Sequence, residues 1–401
     1  MIVNPYLNTE ASSVPTPAPT DAGGQPPTIL QVLPRLETGG VERGTIEIAQ
    51  ALVQAGWRAV VASEGGRMVR ELDRIGAEHV TMPLATKNPL KIRRNGDALA
   101  RLVRERGVSL IHARSRAPAW SALQAARTTG VPFVTTFHGT YNLGPFAIKR
   151  RYNAVMTEGD RVIAISEFIR GHMISTYGVD DNKIRVIHRG VDFSRFDPDK
   201  VSAERMIQLS QRWRLADDEP VIMLPGRLTR WKGQLLLIEA LKRLKDLRFR
   251  CVLVGSDQGR TAYRQEVDDA IEAAGLRDRV QVADDCHDMP AAYMLADVVV
   301  CASTDPEAFG RVPAEAQAMG RPVVAPDHGG SPEIVQHHQT GWLFGAMHPG
   351  SLATMLREAL TLTPQQREAL AQREMAHVRR HFSTEAMCAK TLDVYREVLT
   401  R

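Results

Sequence analysis

No run of roughly 18 uninterrupted apolar residues occurs in the 401-residue sequence, so nothing in it reads as a helix that crosses a bilayer. Cysteine is scarce: Cys251, Cys286, Cys301 and Cys388 show no paired spacing, and Cys251 and Cys301 sit inside apolar runs. That pattern excludes a disulfide scaffold and predicts reduced, buried thiols in a cytoplasmic protein. The opening stretch "MIVNPYLNTEASSVPTPAPTDAGGQPP" lacks both a basic n-region and an apolar h-region, and so does not read as a secretory signal. Its Pro, Thr, Ser and Ala content predicts a disordered leader over residues 1–27. Zinc-finger, RNA-recognition and aromatic-interleaved basic motifs are also missing, so no nucleic-acid partner is expected.

The residues present describe a globular chain. Hydrophobic residues make up 43% and charged residues 24%, and the length allows two domains, each with its own core. The net charge of +5 is uneven: residues 1–200 hold 26 Lys and Arg against 19 Asp and Glu, residues 201–401 hold 25 against 27. A basic front half suggests an anionic partner there, such as a membrane surface or a phosphorylated acceptor.

Past the leader, short apolar runs alternate with amphipathic segments. Residues 28–36, 58–63, 79–84, 108–115, 132–139, 160–166 and 184–190 read as buried strands. Segments such as 40–56 and 95–107 have helical spacing between them. After a charged stretch the rhythm restarts, with strands expected at 220–227, 249–256, 279–284, 297–304, 322–327 and 341–344 and three helical segments from about 350 to 400. Such alternation predicts an α/β chain of two Rossmann-like, doubly wound domains. Their expected bounds are 28–195 and 219–382, with a linker over 196–218 and a closing helix over 383–401. Parallel sheets of this kind bind ligands at the carboxyl ends of their strands, so two facing domains would form a cleft.

Several features fall at those strand ends. Gly39-Gly40 in "ETGGVERG" opens the first helix, where backbone N–H groups attract anions. A tight strand-to-helix turn explains the pair equally well, and the G-x-G-x-x-G spacing is absent. In "PGRLTRWKGQ", Arg227 and Lys232 are two cations at one strand end, suited to a diphosphate or simply solvent-facing. Glu307 and Glu315 lie eight residues apart, about 12 Å if both were helical. Glu307 instead falls in a loop, Gly310 lets the chain turn, and Pro313 suits the first turn of a helix that carries Glu315. The amides of Phe309, Gly310, Arg311 and Val312 would then lie as a row of donors between two acceptors. His138 ends a strand, where it is either structural or part of a site. "DPD" (197–199) and "DDCHD" (284–288) imitate metal ligands, but they fall where acidic residues cap and solvate, so no metal site is expected.

These features, in this order, resemble the retaining glycosyltransferases of family 4, which have the GT-B fold. The resemblance covers nearly the whole chain after the leader. It rests on the E-x7-E block Glu307–Glu315 in "EAFGRVPAEAQAMGRPVVAPDHGGSPEIV", with "TGGVER", "TFHG", "RGVDFSRF" and "GRLTRWKG" in their expected places. It implies that Glu315 binds the ribose hydroxyls of a nucleotide-diphosphate sugar and that Glu307, helped by the amides near Phe309 and Gly310, contacts the donor sugar. Arg227 and Lys232 would neutralise the diphosphate leaving group. His138 would lie near the reacting centre, and Gly39 and Gly40 would shape the phosphate or acceptor end. The resemblance implies no cofactor and no bound metal. It also implies front-face attack, in which the leaving phosphate helps deprotonate the acceptor, within a site closed by domain motion.

On the acceptor side, "KNPLKIRR" supplies Lys87, Lys91, Arg93 and Arg94. "YNLGPFAIKRRYNAVM" combines Tyr141, Phe146 and Ile148 with Lys149, Arg150 and Arg151. Both segments suit an anionic inner-membrane surface or a phosphorylated lipid acceptor, or are an ordinary solvated helix face and basic loop. A glycan or lipid-linked acceptor in bacterial lipopolysaccharide or exopolysaccharide synthesis is the natural setting. The rivals are a sugar-nucleotide epimerase of the same fold and a non-catalytic nucleotide-sugar or polyanion binder.

Overall fold

Each of the thirteen apolar runs becomes a strand, and most strands stop short of the apolar run that encodes them. The computed structural model describes residues 26–37, 39–141, 143, 147–216 and 218–400. All but the last two residues of the expected leader, and Phe146, lie outside them.

Seven strands form the first sheet: β1 (Thr28–Val32), β2 (Arg58–Ser63), β3 (Glu78–Thr81), β4 (Leu110–Ala113), β5 (Phe133–Phe137), β6 (Arg161–Ala164) and β7 (Ile184–Val186). Their order is β3-β2-β1-β4-β5-β6-β7. The second sheet holds β8 (Val221–Pro225), β9 (Arg250–Val254), β10 (Val280–Ala283), β11 (Val298–Val300), β12 (Val323–Pro326) and β13 (Trp342–Phe344), ordered β10-β9-β8-β11-β12-β13. The strand pairings within these sheets are parallel, for example Thr28 with Arg58 and Ile222 with Cys251. In both sheets the order reverses beside the first strand, the arrangement of a doubly wound α/β domain.

The chain forms two compact units. One comprises residues 1–113, 117–133 and 395–401, the other residues 114–116 and 134–394. In the first, β1 is buried along its length and β2 along all but Arg58, as strands covered on both faces must be. The end of the closing helix Thr384–Leu399 belongs to this unit: Tyr395 Oη lies 2.6 Å from the buried His112 Nδ1, and the Arg396 guanidinium stacks 5.7 Å from the Trp57 ring centre.

In the second unit, Ile222, Leu224, Leu237, Ile238, Leu253 and Val298 form one continuous core between sheet and helices. Each such side chain contributes about 1.5–3 kcal/mol relative to exposure. The stretch 196–218 contains the helix Ala203–Trp213, tied to the rest of the unit by Arg205, whose Nη2 lies 2.6 Å from Asp288 Oδ1. Asp288 also caps the helix Met289–Leu295, and Asp197 accepts from the Asp199 amide at 3.1 Å, so both have local structural roles. Among the described residues the four cysteines are free thiols, and no helix is long and apolar enough to cross a membrane.

Candidate active site

The crevice at an order reversal is built by the segments that follow the two diverging strands. In the second sheet these strands are β8 and β11. After β8, Gly226 takes φ 156° and the chain makes a short turn over Arg230–Lys232. Gly233, at φ 75°, then begins the helix Gln234–Leu241. A Cβ on Gly233 would sit 1.8 Å from the Ala302 carbonyl oxygen, so only glycine lets this turn lie against the segment after β11. The Thr304 amide closes the join by donating to the Trp231 carbonyl at 2.8 Å.

This contact brings Lys232 to Glu307. Lys232 Nζ donates to Glu307 Oε1 at 2.8 Å, both side chains being only 13% and 12% exposed, and lies 4.4 Å from the Trp231 ring centre. Ser303 Oγ and Cys301 Sγ (3.3 Å) donate to the same oxygen. Burial pushes the Glu307 carboxyl up, but Lys232, Ser303 and Cys301 together hold it below the ordinary glutamate value, so it is ionised at neutral pH. All three contacts fall on Oε1; among the described residues Oε2 has no protein donor and remains an open acceptor.

The loop bearing Glu307 is gripped by the Gly329-Gly330 turn after β12. The Gly330 amide donates to the Glu307 carbonyl at 2.8 Å. A Cβ on Gly329 would meet the Glu307 backbone at 2.6 Å, and one on Gly330 the Phe309 backbone at 2.5 Å. Phe309 is buried, its ring 5.9 Å from Phe382 and 6.2 Å from His188. Gly310 (φ 106°) turns the chain into the helix Arg311–Ala318, whose first turn contains Val312 and Pro313. Its opening amides have no intrahelical acceptor, as at any helix start. Glu315 is 8% exposed: Arg311 Nη2 meets its Oε1 at 2.6 Å, and the fully buried Tyr293 hydroxyl donates to its Oε2 at 3.0 Å. Burial and the adjacent Glu315 push the Tyr293 hydroxyl far up, so it remains a donor. The two acids are thus separate acceptors, each with its own cation, on either side of a helix start.

The other sequence candidates are distributed as follows. Arg227 is exposed, and its guanidinium has no ion-pair partner among the described residues. His138 follows β5, and Arg189 Nη2 lies 2.8 Å from its Nδ1. A guanidinium only donates, so Nδ1 accepts, and the neutral ring carries its hydrogen on Nε2. Gly39 and Gly40 belong to the other compact unit, where Gly39 precedes the helix Gly40–Gln54 and its carbonyl accepts from the Arg43 amide at 3.0 Å. Lys87, Lys91, Arg93 and Arg94 are exposed around the start of the helix Pro89–Arg106, which Asn88 caps. Lys149, Arg150 and Arg151 are exposed on the helix Ala147–Asn153.

Three residues of this constellation carried no signal of their own, Ser303 and Cys301 beneath Glu307 and Tyr293 beneath Glu315; Arg189 beside His138 opens the motif "RGVDFSRF" but was given no role. Ser303 and Cys301 alternate along the extended segment after β11, so a period-of-two reading from Glu307 back to the strand was the available clue. Tyr293 and Arg189 reach their partners across 22 and 51 residues, distances no local pattern encodes.

Residues 38–195 match Glycosyltransferase Family 4, and residues 206–375 match Glycosyl transferases group 1. The chain is 30% identical to a D-inositol 3-phosphate glycosyltransferase of Salinispora tropica, over 98% of this chain and 85% of that one. Among solved structures, a glycosyltransferase from Rickettsia africae superposes with a TM-score of 0.87 at 36% identity, covering 93% of this chain and 99% of its own. The Anabaena protein HepE in complex with UDP-glucose superposes with a TM-score of 0.77 at 26% identity, covering 92% and 99%.

Proposed function

Because the chain belongs to the family 4 (group 1) glycosyltransferases and has their GT-B fold, we propose that it is a retaining, metal-independent enzyme that moves a sugar from a UDP- or GDP-linked donor to an acceptor. The single observation that carries this reading is the pair of buried carboxylates Glu307 and Glu315. Each is anchored by its own cation, 2.8 and 2.6 Å away, on either side of the amides that open the helix Arg311–Ala318. Two acceptors flanking a row of donors suit a polyhydroxylated ligand that also carries phosphates.

In this reading Glu315, fixed by Arg311 and Tyr293, accepts from the ribose hydroxyls. Glu307 accepts a donor-sugar hydroxyl at Oε2 while Lys232 and Ser303 hold Oε1. Lys232 keeps further N–H bonds for the diphosphate, and exposed Arg227 adds a fork; both meet charge that grows on the leaving group. Glu307 is not assigned as nucleophile, because its open oxygen Oε2 is assigned to a donor-sugar hydroxyl and front-face attack needs no covalent intermediate. Retention follows from attack on the face the phosphate leaves, with the phosphate taking the acceptor proton. His138, whose Nδ1 lies 2.8 Å from Arg189 Nη2, is assigned in this reading to serve the donor sugar through Nε2. The UDP-glucose complex of HepE supports the donor class. The relatives that act on inositol phosphate, together with the basic surface residues, support a phosphorylated or lipid-linked acceptor, in the setting of bacterial envelope glycan synthesis at the cytoplasmic face.

A thermal-shift panel of UDP-, GDP- and ADP-sugars, followed by product analysis with and without acceptors, tests the proposal. One donor should raise the melting temperature, the sugar should reach an acceptor with its anomeric configuration kept, and turnover should survive EDTA. Glu307→Gln should lower turnover about 100-fold or more. Conversion of the donor to an epimer without acceptor, or normal turnover by Glu307→Gln, overturns it.

A further inference from the structure

The helix Glu167–Tyr177 begins with three amides that its own backbone leaves open, and all three are satisfied by side chains. Ser166 Oγ, the N-cap, accepts from the Ile169 amide at 3.1 Å. The other two go to Glu333, more than 160 residues away in sequence: Oε2 accepts from the Glu167 amide and Oε1 from the Phe168 amide, each at 2.8 Å. His188 Nε2 makes the fourth contact of this cluster, 2.7 Å from Glu333 Oε2. Glu333 is largely buried, with a side chain 18% exposed. Burial pushes its carboxyl up, but His188 and the two amides hold it below the ordinary value.

Both ends of this cluster grip the loop that carries Glu307. Ser166 Oγ, besides capping, donates to the Ala308 carbonyl at 2.5 Å. Glu333 sits in the one-turn helix Ser331–Ile334, directly after the Gly329-Gly330 turn, where any Cβ would overlap the Glu307 and Phe309 backbone. The Glu333 amide donates back to the Gly330 carbonyl at 3.2 Å, and the Gly330 amide to the Glu307 carbonyl at 2.8 Å. The path from the helix start to Glu307 is therefore closed in two directions, through Ser166 and Ala308 and through Glu333 and Gly330.

We propose that Glu333 and Ser166 are positioning residues that act as a two-point clamp, using the start of the helix Glu167–Tyr177 to hold the 306–310 loop, and with it Glu307, in register for the donor sugar. Neither residue touches the reacting atoms. A carboxylate across a helix start is held by charge and by directed N–H bonds together, so it fixes both distance and angle. Misplacement of a reacting group by about 1 Å costs on the order of 100-fold in rate, and Glu307 hangs on a loop with no strand or helix of its own. The clamp supplies the rigidity that the loop lacks. This inference rests on the assignment of Glu307 to the donor sugar.

The test uses the full chain with UDP-glucose, ADP-glucose or GDP-mannose, whichever gives the largest melting-temperature shift. Glu333→Ala and Ser166→Ala should each lower kcat for donor turnover roughly tenfold or more while nucleotide affinity stays within about threefold. The double variant should lose less than the product of the single losses, because both act on one loop. Hydrogen exchange of the peptide spanning 304–310 should rise in both variants, while that of the helix Thr261–Ala273 stays as in the parent. Glu333→Asp, which keeps the charge, should recover part of kcat. Should Glu333→Ala fail to fold, Ser166→Ala alone carries the turnover and exchange measurements. A kcat equal to the parent's with only a lowered melting temperature, or unchanged exchange at 304–310, overturns the clamp. Glu307→Gln in the same assay separates the two readings. Inactive Glu307→Gln beside fully active Glu333→Ala removes the clamp alone, whereas normal Glu307→Gln removes the site and the clamp with it.

Discussion

Glu374 lies in the middle of the helix Pro364–His381 with no accessible surface. Burial drives its carboxyl well above the ordinary glutamate value, outweighing the attraction of Arg321, Arg373 and Arg367. The sign of its linkage is opposite to that of Glu307 and Glu333. An acid whose folded pKa is raised binds more protons folded than unfolded, and its stability contribution falls as pH rises above the unfolded value near 4.5. Glu374→Gln removes that titration and keeps the shape. It should raise the melting temperature at pH 7–8, and the gain should shrink toward pH 4. Denaturation curves at four pH values between 4 and 8 check this; a gain that is constant with pH contradicts it. Glu307 and Glu333, held low, contribute stability present above the unfolded value and lost as pH falls through their folded values.

At the scale of elements, the turn Arg230–Lys232 and Gly233 show what a sequence encodes and what it conceals. "GRLTRWKG" was legible as a strand end followed by the cations Arg227 and Lys232 singled out above, since β8 is apolar and stops at a Pro-Gly pair. Nothing local showed that Lys232 would turn onto Glu307, because that contact depends on Gly233 lying against Ala302, 69 residues later in the segment after β11. The strands were legible for a related reason: parallel strands covered on both faces are continuous apolar runs bounded by polar helices. Their carboxyl ends were overestimated where the apolar run continues past the ladder, as at Leu33 and Leu36, which are buried outside β1. A direct check of the element argument is Gly233→Ala. The position has φ 75° and a backbone oxygen where the Cβ must go, so both backbone strain and overlap act. We expect destabilisation of about 2–4 kcal/mol. Turnover should fall further than the folded fraction does, because the shift moves Lys232 away from Glu307. Chemical denaturation combined with activity per folded molecule measures both, and a Gly233→Ala protein as stable and active as the parent removes the packing argument.

For the whole molecule, the distribution of charge bears on what the basic residues are for. The excess of Lys and Arg lies in residues 1–200, and the exposed members Lys91, Arg93, Arg94, Lys149, Arg150 and Arg151 have no ion-pair partners among the described residues. Each basic segment also exposes an aliphatic side chain: Leu90 is 72% and Ile148 78% accessible. Unpaired cations beside exposed aliphatic groups suit the boundary of an anionic lipid surface, where the cation meets headgroups and the aliphatic group enters the acyl boundary. A solvated face would tolerate the cations but gains nothing from the aliphatic groups. The membrane-surface reading makes a quantitative expectation. A basic residue near such a surface contributes about 1 kcal/mol, so replacing Lys149, Arg150 and Arg151 with Ala should lower partitioning onto anionic vesicles by roughly 100-fold. Because the attraction is electrostatic, partitioning of the parent should also fall as salt rises and the Debye length shortens below ~10 Å. Neutral vesicles should bind both proteins weakly, through the aliphatic contacts alone. Co-sedimentation at two ionic strengths, with vesicles of neutral and of mixed anionic composition, gives all of these values. Equal binding of parent and triple variant to the anionic vesicles leaves the basic segments as solvated surface, and the acceptor must then be sought among soluble molecules.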